Sequence, residues 1–138
     1  MNNAIFVSIN PKATDKIEKR IKTYEFRNYI PKKSFNKLYV YVTTPICELK
    51  YIMEISNVVH TPQKIEDEGD GNNLFNEGKK AKYAYRISKV YKLDKPIELS
   101  LLKENFNFTP PQSYAYQERY QDLSKIIDEG AKKLIWKR

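Results

Sequence analysis

The chain has 138 residues, 41% of them apolar and 13% aromatic, and a formal charge of +8. That is the length of one ordinary domain with enough apolar material for a packed core. No run of 18 apolar residues or leader-like start marks a membrane span or a signal peptide, so a single cytoplasmic domain with no membrane attachment is expected. Cys47 and His60 are the only residues of their types, which excludes an internal disulfide, argues against a metal centre and fits a reducing compartment.

Ala4–Ile9 is a run of branched and aromatic apolar residues closed by Asn10-Pro11, the pattern of a buried strand ending in a turn. Asn10 can cap a helix with Pro11 at its first position, and Ala13, Ile17 and Ile21 recur at spacing four among Lys12, Lys16, Lys19 and Arg20, which predicts a helix with one apolar stripe. The helix leads into Lys22-Thr23-Tyr24-Glu25-Phe26-Arg27. If that stretch is extended, Thr23, Glu25 and Arg27 share one face and Tyr24 and Phe26 the other. A carboxylate and a guanidinium on one face stay buried cheaply only when paired or holding a polar ligand, so this face is either a cleft or a structural ion pair.

Asn28 to Ser34 reads as a loop around Pro31, with Lys32 and Lys33 making it basic. Lys37 to Thr43 and Leu49 to Val59 alternate as strands, the first with apolar or aromatic residues on both faces. Thr61 to Asn73, with its glycines and the acidic cluster Glu66, Asp67, Glu68 and Asp70, is a solvated connection. Asp67, Asp70 and Glu77 do not keep the register of a calcium loop. Leu74-Phe75 suggests one helical turn. Ala81 to Leu93 is a long strand with a bulge near Ser88, ended by Pro96. Leu99 to Leu102 suggests another helical turn, and Pro110-Pro111 leads into Gln112–Tyr116 as the final sheet strand. From Gln117 onward Leu123, Ile126, Ile127, Leu134 and Ile135 follow a helical rhythm weakened at Gly130, with Trp136 exposed unless something covers it. The expected fold class is α+β, a strongly curved mixed sheet or small barrel with an early helix over a cleft and a C-terminal helix.

Ala4-Ile5-Phe6-Val7-Ser8-Ile9-Asn10-Pro11, the helix after it, Lys22 to Arg27, the strand through Tyr39-Val40-Tyr41 into Thr44-Pro45, and Pro110 to Tyr116 together resemble the ASCH family of the PUA-like superfamily of small β-barrels. The resemblance spans about residues 4–116 in collinear order. Of the family's hallmark Gly-x-Lys-x-x-Glu-x-Arg, Lys22, Glu25 and Arg27 are in place. Arg20 stands where the hallmark has glycine, and Tyr51 stands where relatives often have glycine before their second long strand. The resemblance implies a PUA-like domain over 1–116; residues 117–138 lie outside it and, from their helical rhythm, are expected to be a C-terminal helical extension packed on the same domain. It also implies a cleft between sheet and helix lined by Lys22, Glu25 and Arg27, and a role in RNA binding or RNA-linked regulation. Some ASCH members are hydrolases, either amidohydrolases on acylated cytidine or ribonucleases. In the amidohydrolases the motif lysine is followed by threonines; Thr23 matches one, while Glu25 replaces the one implicated in catalysis.

The charge is uneven, basic at both ends and acidic in the middle, and such a positive field favours RNA or a phosphorylated ligand, although a lysine-rich surface also serves solubility. The expected binding set is Lys22, Arg27, Lys32 and Lys33 as donors, Glu25 as acceptor or orienter, Gln112 and Ser113 as walls, and Tyr24, Tyr41 or Tyr114 as stacking surfaces. The tyrosines also read as ordinary sheet and core residues. An enzyme would use Lys22, Thr23 and Glu25, with Ser113 as an accessory hydroxyl. Nothing calls for a cofactor. Residues 117–138 are a candidate homodimer contact.

Overall fold

The structure, a computed structural model, describes residues 3–138. In chain order the elements are β1 (Ala4–Ile9), α1 (Pro11–Glu18), β2 (Tyr24–Arg27), β3 (Lys37–Val42), β4 (Glu48–His60), α2 (Asn72–Asn76), β5 (Tyr83–Glu98), α3 (Leu99–Phe106), β6 (Ala115–Tyr116), a 3-10 turn (Gln117–Tyr120), α4 (Gln121–Glu129) and β7 (Lys132–Lys137). The strands form one mixed sheet in the order β2-β5-β4-β3-β1-β6, with β7 also on β5, and the sheet curves into a half-barrel. β1 and β3 are parallel across six residue pairs. Every other pairing is antiparallel.

Alternation along β1 sorts its side chains into two cores. Ile5, Val7 and Ile9 face the inside of the half-barrel with Leu38, Val40, Met53, Tyr85, Ile87 and Ile17 of α1. Ala4 and Phe6 face outward into an aromatic core with Tyr39, Tyr41, Phe108 and Tyr120, covered by Leu102 of α3 and Leu123 and Ile127 of α4. Phe6 lies 5.0 Å from Tyr39, 5.5 Å from Phe108 and 5.4 Å from Tyr120, ring centre to ring centre, distances at which tilted rings attract beyond simple burial.

Several expectations meet the structure directly. Asn10 caps α1, its Oδ1 accepting from the Ala13 N–H at 2.8 Å. Ser88 is skipped between the pairs Glu54–Lys89 and Ile55–Ile87, which is the expected bulge. β5 does not stop at Pro96 but runs to Glu98, because the register with β4 shifts between Leu49–Ile97 and Tyr51–Lys92 and the imide nitrogen therefore owes the ladder no hydrogen. Ile21 lies beyond α1 and is 52% exposed, so the apolar stripe ends at Ile17.

The C-terminal third is corrected most. Gln112–Tyr116 is not a full strand: only Ala115 and Tyr116 pair, with Phe6 and Ile5. The prolines before them lack donors, and the Ser113 carbonyl is taken by the Tyr29 hydroxyl at 2.6 Å. The helix from Gln117 stops at Glu129, and Lys132–Lys137 is the last sheet strand, antiparallel to Lys89–Leu93 of β5. Gly130 is extended (φ −68°, ψ 148°) and turns the chain back along the sheet. Trp136 is covered, 8% exposed, with its Nε1–H donating to the Ile17 carbonyl at 2.7 Å. A contact 119 residues apart has no trace in local periodicity. No helix among the described residues is long and apolar enough to cross a membrane.

Candidate functional site

The site begins where α1 ends. The Arg20 N–H donates to the Ile17 carbonyl and the Ile21 N–H to the Lys16 carbonyl, both at 2.9 Å, the two bonds of a Schellman ending whose first residue past the cap is left-handed. That residue is Arg20, at φ 61°. Left-handed backbone costs an L side chain about 1–2 kcal/mol and glycine almost nothing, so the hallmark glycine position has a structural meaning, and here arginine bears the strain. Its guanidinium lies 5.0 Å from the centre of the Trp136 ring, a cation–π contact that offsets part of the cost.

The turn delivers Lys22 and then β2 to a cleft of about 390 Å3 lined by Ser8, Ile9 and Asn10 of β1 and its end, Lys12, Ala13 and Lys16 of α1, Lys22, Glu25, Phe26 and Arg27, and by Asp70 and Lys80. Five cations face two carboxylates, so the cleft is positive. Its floor is largely buried: the side chains of Lys22, Glu25 and Arg27 are 8%, 9% and 14% exposed. Arg27 Nε and NH2 donate to Glu25 Oε2 at 3.1 and 2.7 Å. The other Glu25 oxygen, Oε1, lies 3.6 Å from Lys22 Nζ. Burial pushes the Lys22 ammonium below its ordinary value, and the Glu25 carboxylate works in the opposite direction. The Phe26 ring centre is 4.4 Å from the same nitrogen.

Arg27 has a second task. β2 is one edge of the curled sheet, β1 lies next to the two-residue β6 at the other, and β1 and β2 share no backbone ladder. NH2 of Arg27 donates to the Ser8 carbonyl at 3.0 Å and NH1 to the Tyr29 hydroxyl at 3.2 Å, and Tyr29 donates on to Ser113. Side chains therefore hold the seam where strands do not.

Of the residues singled out from sequence, Lys22, Glu25 and Arg27 meet in the cleft. Thr23 does not line it: its buried Oγ1 has no hydrogen-bond partner and lies toward Gly69 and Asn72. Tyr24 is 3% exposed in a small core with Ile65, Phe75 and Ala84, and Tyr41 is 4% exposed in the outer aromatic core, so neither ring offers a face to a ligand. Ser113 and Tyr114 stand one layer behind Arg27, the first through its carbonyl and the second by stacking on Tyr29 at 5.3 Å. Gln112 and Lys32 are exposed and outside the lining. Lys33 sits by Tyr116 and Glu118 in a different cavity. Sequence reading left Lys12, Lys16, Asp70 and Lys80 out of the site. The i, i+4 spacing of Lys12 and Lys16 on a helix entering the hallmark was a usable signal; Asp70 and Lys80 arrive from a distant loop. Among the described residues, no three of His, Cys, Asp and Glu gather as metal ligands.

No protein-family model matches the sequence, and no curated protein matches it. Among solved structures, the crystal structure of the ASCH protein from Zymomonas mobilis is similar over 89% of this chain and 94% of that one, at TM-score 0.64 and 24% identity. A serine-to-alanine variant of the same protein matches at TM-score 0.65 and 24% identity, over 89% of this chain and 95% of that one. At that identity the likeness speaks to fold alone, and together with the curled mixed sheet and the Lys22–Glu25–Arg27 floor it leads to one conclusion: the chain has the ASCH-domain fold.

Proposed function

We propose that the protein is an RNA- or nucleotide-binding ASCH-type domain of the cytoplasm, regulatory in role, whose ligand enters the cleft over Lys22, Glu25 and Arg27. The observation that carries this reading is the Lys22 ammonium, desolvated beside a carboxylate at the bottom of a positive cleft. A buried lysine is costly to a fold, and a ligand carbonyl or phosphate would repay it with charge-assisted hydrogen bonds. Arg27 spends its donors on Glu25, Ser8 and Tyr29, so it acts by fixing Glu25, which offers Oε1 to a base amino group. Titration with nucleoside monophosphates and short RNA at two salt concentrations tests this. Salt-dependent binding weakened at least about tenfold in Lys22→Ala supports it, and binding indifferent to that change contradicts it.

A second reading is a hydrolase on a modified nucleoside, an amidohydrolase on acylated cytidine or a ribonuclease. The placement of a buried Lys22 ammonium, pushed down by desolvation, 3.6 Å from the Glu25 carboxylate favours it, since adjacent acid and base groups are what proton transfer needs. With Thr23 outside the cleft lining, such chemistry would rest on Lys22 and Glu25. Turnover over a panel of acylated nucleosides, lost in Lys22→Ala and Glu25→Gln, is the expected result, and no turnover removes the reading. The homodimer contact proposed for residues 117–138 would use the exposed Ile126 and Leu134; sedimentation of the full chain with both changed to Lys should then lose a dimer, and an unchanged mass contradicts it.

A further inference from the structure

The cleft is not the last aromatic and cationic surface along β1. From Arg27 the contacts continue through Tyr29, whose ring stacks on Tyr114 at 5.3 Å and 26°, and Tyr114 meets Tyr116 edge to face, again at 5.3 Å. Beyond Tyr116 the Lys33 ammonium lies 4.9 Å from the ring centre, over a cavity of about 160 Å3 lined by Asn3, Ala4, Ser34, Gln117 and Glu118 among others. The cleft sits at the Ser8–Asn10 end of β1 and this cavity at the Asn3–Ile5 end. A six-residue strand separates them by about 17 Å, at roughly 3.3 Å per residue.

We propose that Tyr116, Lys33 and the cavity beside them form a second nucleotide seat, joined to the cleft by Tyr29 and Tyr114, so that the protein takes a short single strand of nucleic acid rather than a lone nucleotide. The inference rests on the reading of the cleft as a nucleotide site. Its chemistry is that of general single-strand binding, an aromatic platform at Tyr116 with cations along the backbone's path, while Tyr29 and Tyr114, stacked on each other, form the wall between the two seats. Lys33 suits the second role because its side chain is 65% exposed and its pairing with Glu118, itself 55% exposed, is loose at 3.8 Å. A phosphate can take the ammonium from that carboxylate with little loss, since exposed ion pairs hold weakly. Tyr116 is placed rigidly enough to serve as a platform: its backbone pairs with Ile5 and its hydroxyl accepts from the Lys33 N–H at 3.2 Å. Duplexes are disfavoured, because bases reach ring faces only when unpaired.

The experiment compares affinities of the full chain for the four nucleoside 5′-monophosphates and for labelled single-stranded hexanucleotides, as RNA and as DNA, by fluorescence anisotropy and competition. The readout is the ratio of hexanucleotide to mononucleotide affinity, measured also in Lys33→Glu and Tyr116→Leu, with melting curves to show that each variant folds. A ratio of about tenfold or more in either the RNA or the DNA arm, falling at least about fivefold in both variants, supports the second seat. A mononucleotide that binds with a ratio near one, or a ratio untouched in Lys33→Glu, overturns it and leaves the cleft reading standing. Failure of every probe to bind overturns the cleft reading and this inference with it.

Discussion

β1 is joined to β3 and to the four-residue β2 in opposite ways. On the β3 side six parallel residue pairs run the length of the strand, and apolar cores cover both faces. Its other edge carries only the two-residue ladder to β6 at Ile5 and Phe6; toward β2 there is none, and the connection is Arg27 donating to the Ser8 carbonyl, with Glu25 behind it and Tyr29 relaying to Ser113. Where backbone pairing runs out, polar side chains must satisfy the strand edge, and they leave room for a cleft. One side of β1 contributes stability alone, and the other joins stability to the candidate chemistry. The Glu25–Arg27 pair is therefore a seam and a cleft floor together, and the choice posed by its sequence, ion pair or cleft, is not exclusive.

Substitutions can separate the two sides. The largest effect belongs to the ladder side: Phe6→Ala should cost about 3–5 kcal/mol by emptying a fully buried aromatic site, measured as urea midpoint, with ligand affinity of the folded fraction unchanged. Arg27→Ala should cost about as much, roughly 3–5 kcal/mol, because it strands the buried Glu25 carboxylate and opens the seam; here stability and ligand binding should fall together. Equal urea midpoints for Arg27→Ala and the parent chain would mean that the seam is not held by side chains. Arg20→Gly should raise stability by up to about 1 kcal/mol, since it removes left-handed strain of about 1–2 kcal/mol and loses a cation–π contact of about 0.5–1 kcal/mol. A melting temperature that drops instead would show that the Arg20–Trp136 contact outweighs the strain.

The smallest effect concerns how α1, one wall of the cleft, is tied to the sheet. Glu18 accepts from the Tyr51 hydroxyl at 2.5 Å and pairs with Lys92 at 3.2 Å. The Tyr51 hydrogen bond is the main force holding its carboxyl below the usual value of 4.5, with partial burial opposing and Lys92 assisting. A carboxylate depressed in the folded state stabilises above its unfolded pKa, and that contribution is lost as pH falls through the folded value. Melting temperature against pH should therefore decline below about 4.5 less steeply in Glu18→Gln than in the parent chain. Parallel acid limbs would remove this tie from the account.

Much of this was legible in the chain where the signals are local. The cap at Asn10, the bulge at Ser88 and the double-faced burial of Leu38 to Val42 follow from residue type and alternation. The floor of the cleft was legible because Lys22, Glu25 and Arg27 lie within six residues. Asp70 and Lys80 were not, because they reach it from beyond β4, and loop positions of that separation carry no periodicity. β7 was missed for a related reason. Leu134-Ile135-Trp136 suits a helix as well as a strand, and what decides between them is the Trp136 bond to Ile17 and the grip of Arg138 on the Ile87 and Thr23 carbonyls and on Asp67. The C-terminal segment is thus part of the sheet, and Arg138 ties it to Thr23 beside the site.

The measurement closest to the central claim is the paired stability and affinity of Lys22→Met. Glu25 keeps its two bonds from Arg27 in that variant, while a desolvated ammonium is replaced by an apolar chain of similar length. If Lys22 is held in the fold for a ligand, the urea midpoint should stay level or rise while affinity for short single-stranded RNA falls at least about tenfold. A midpoint that falls while affinity is unchanged would make Lys22 a structural partner of Glu25 and contradict the assignment of this cleft as the binding site.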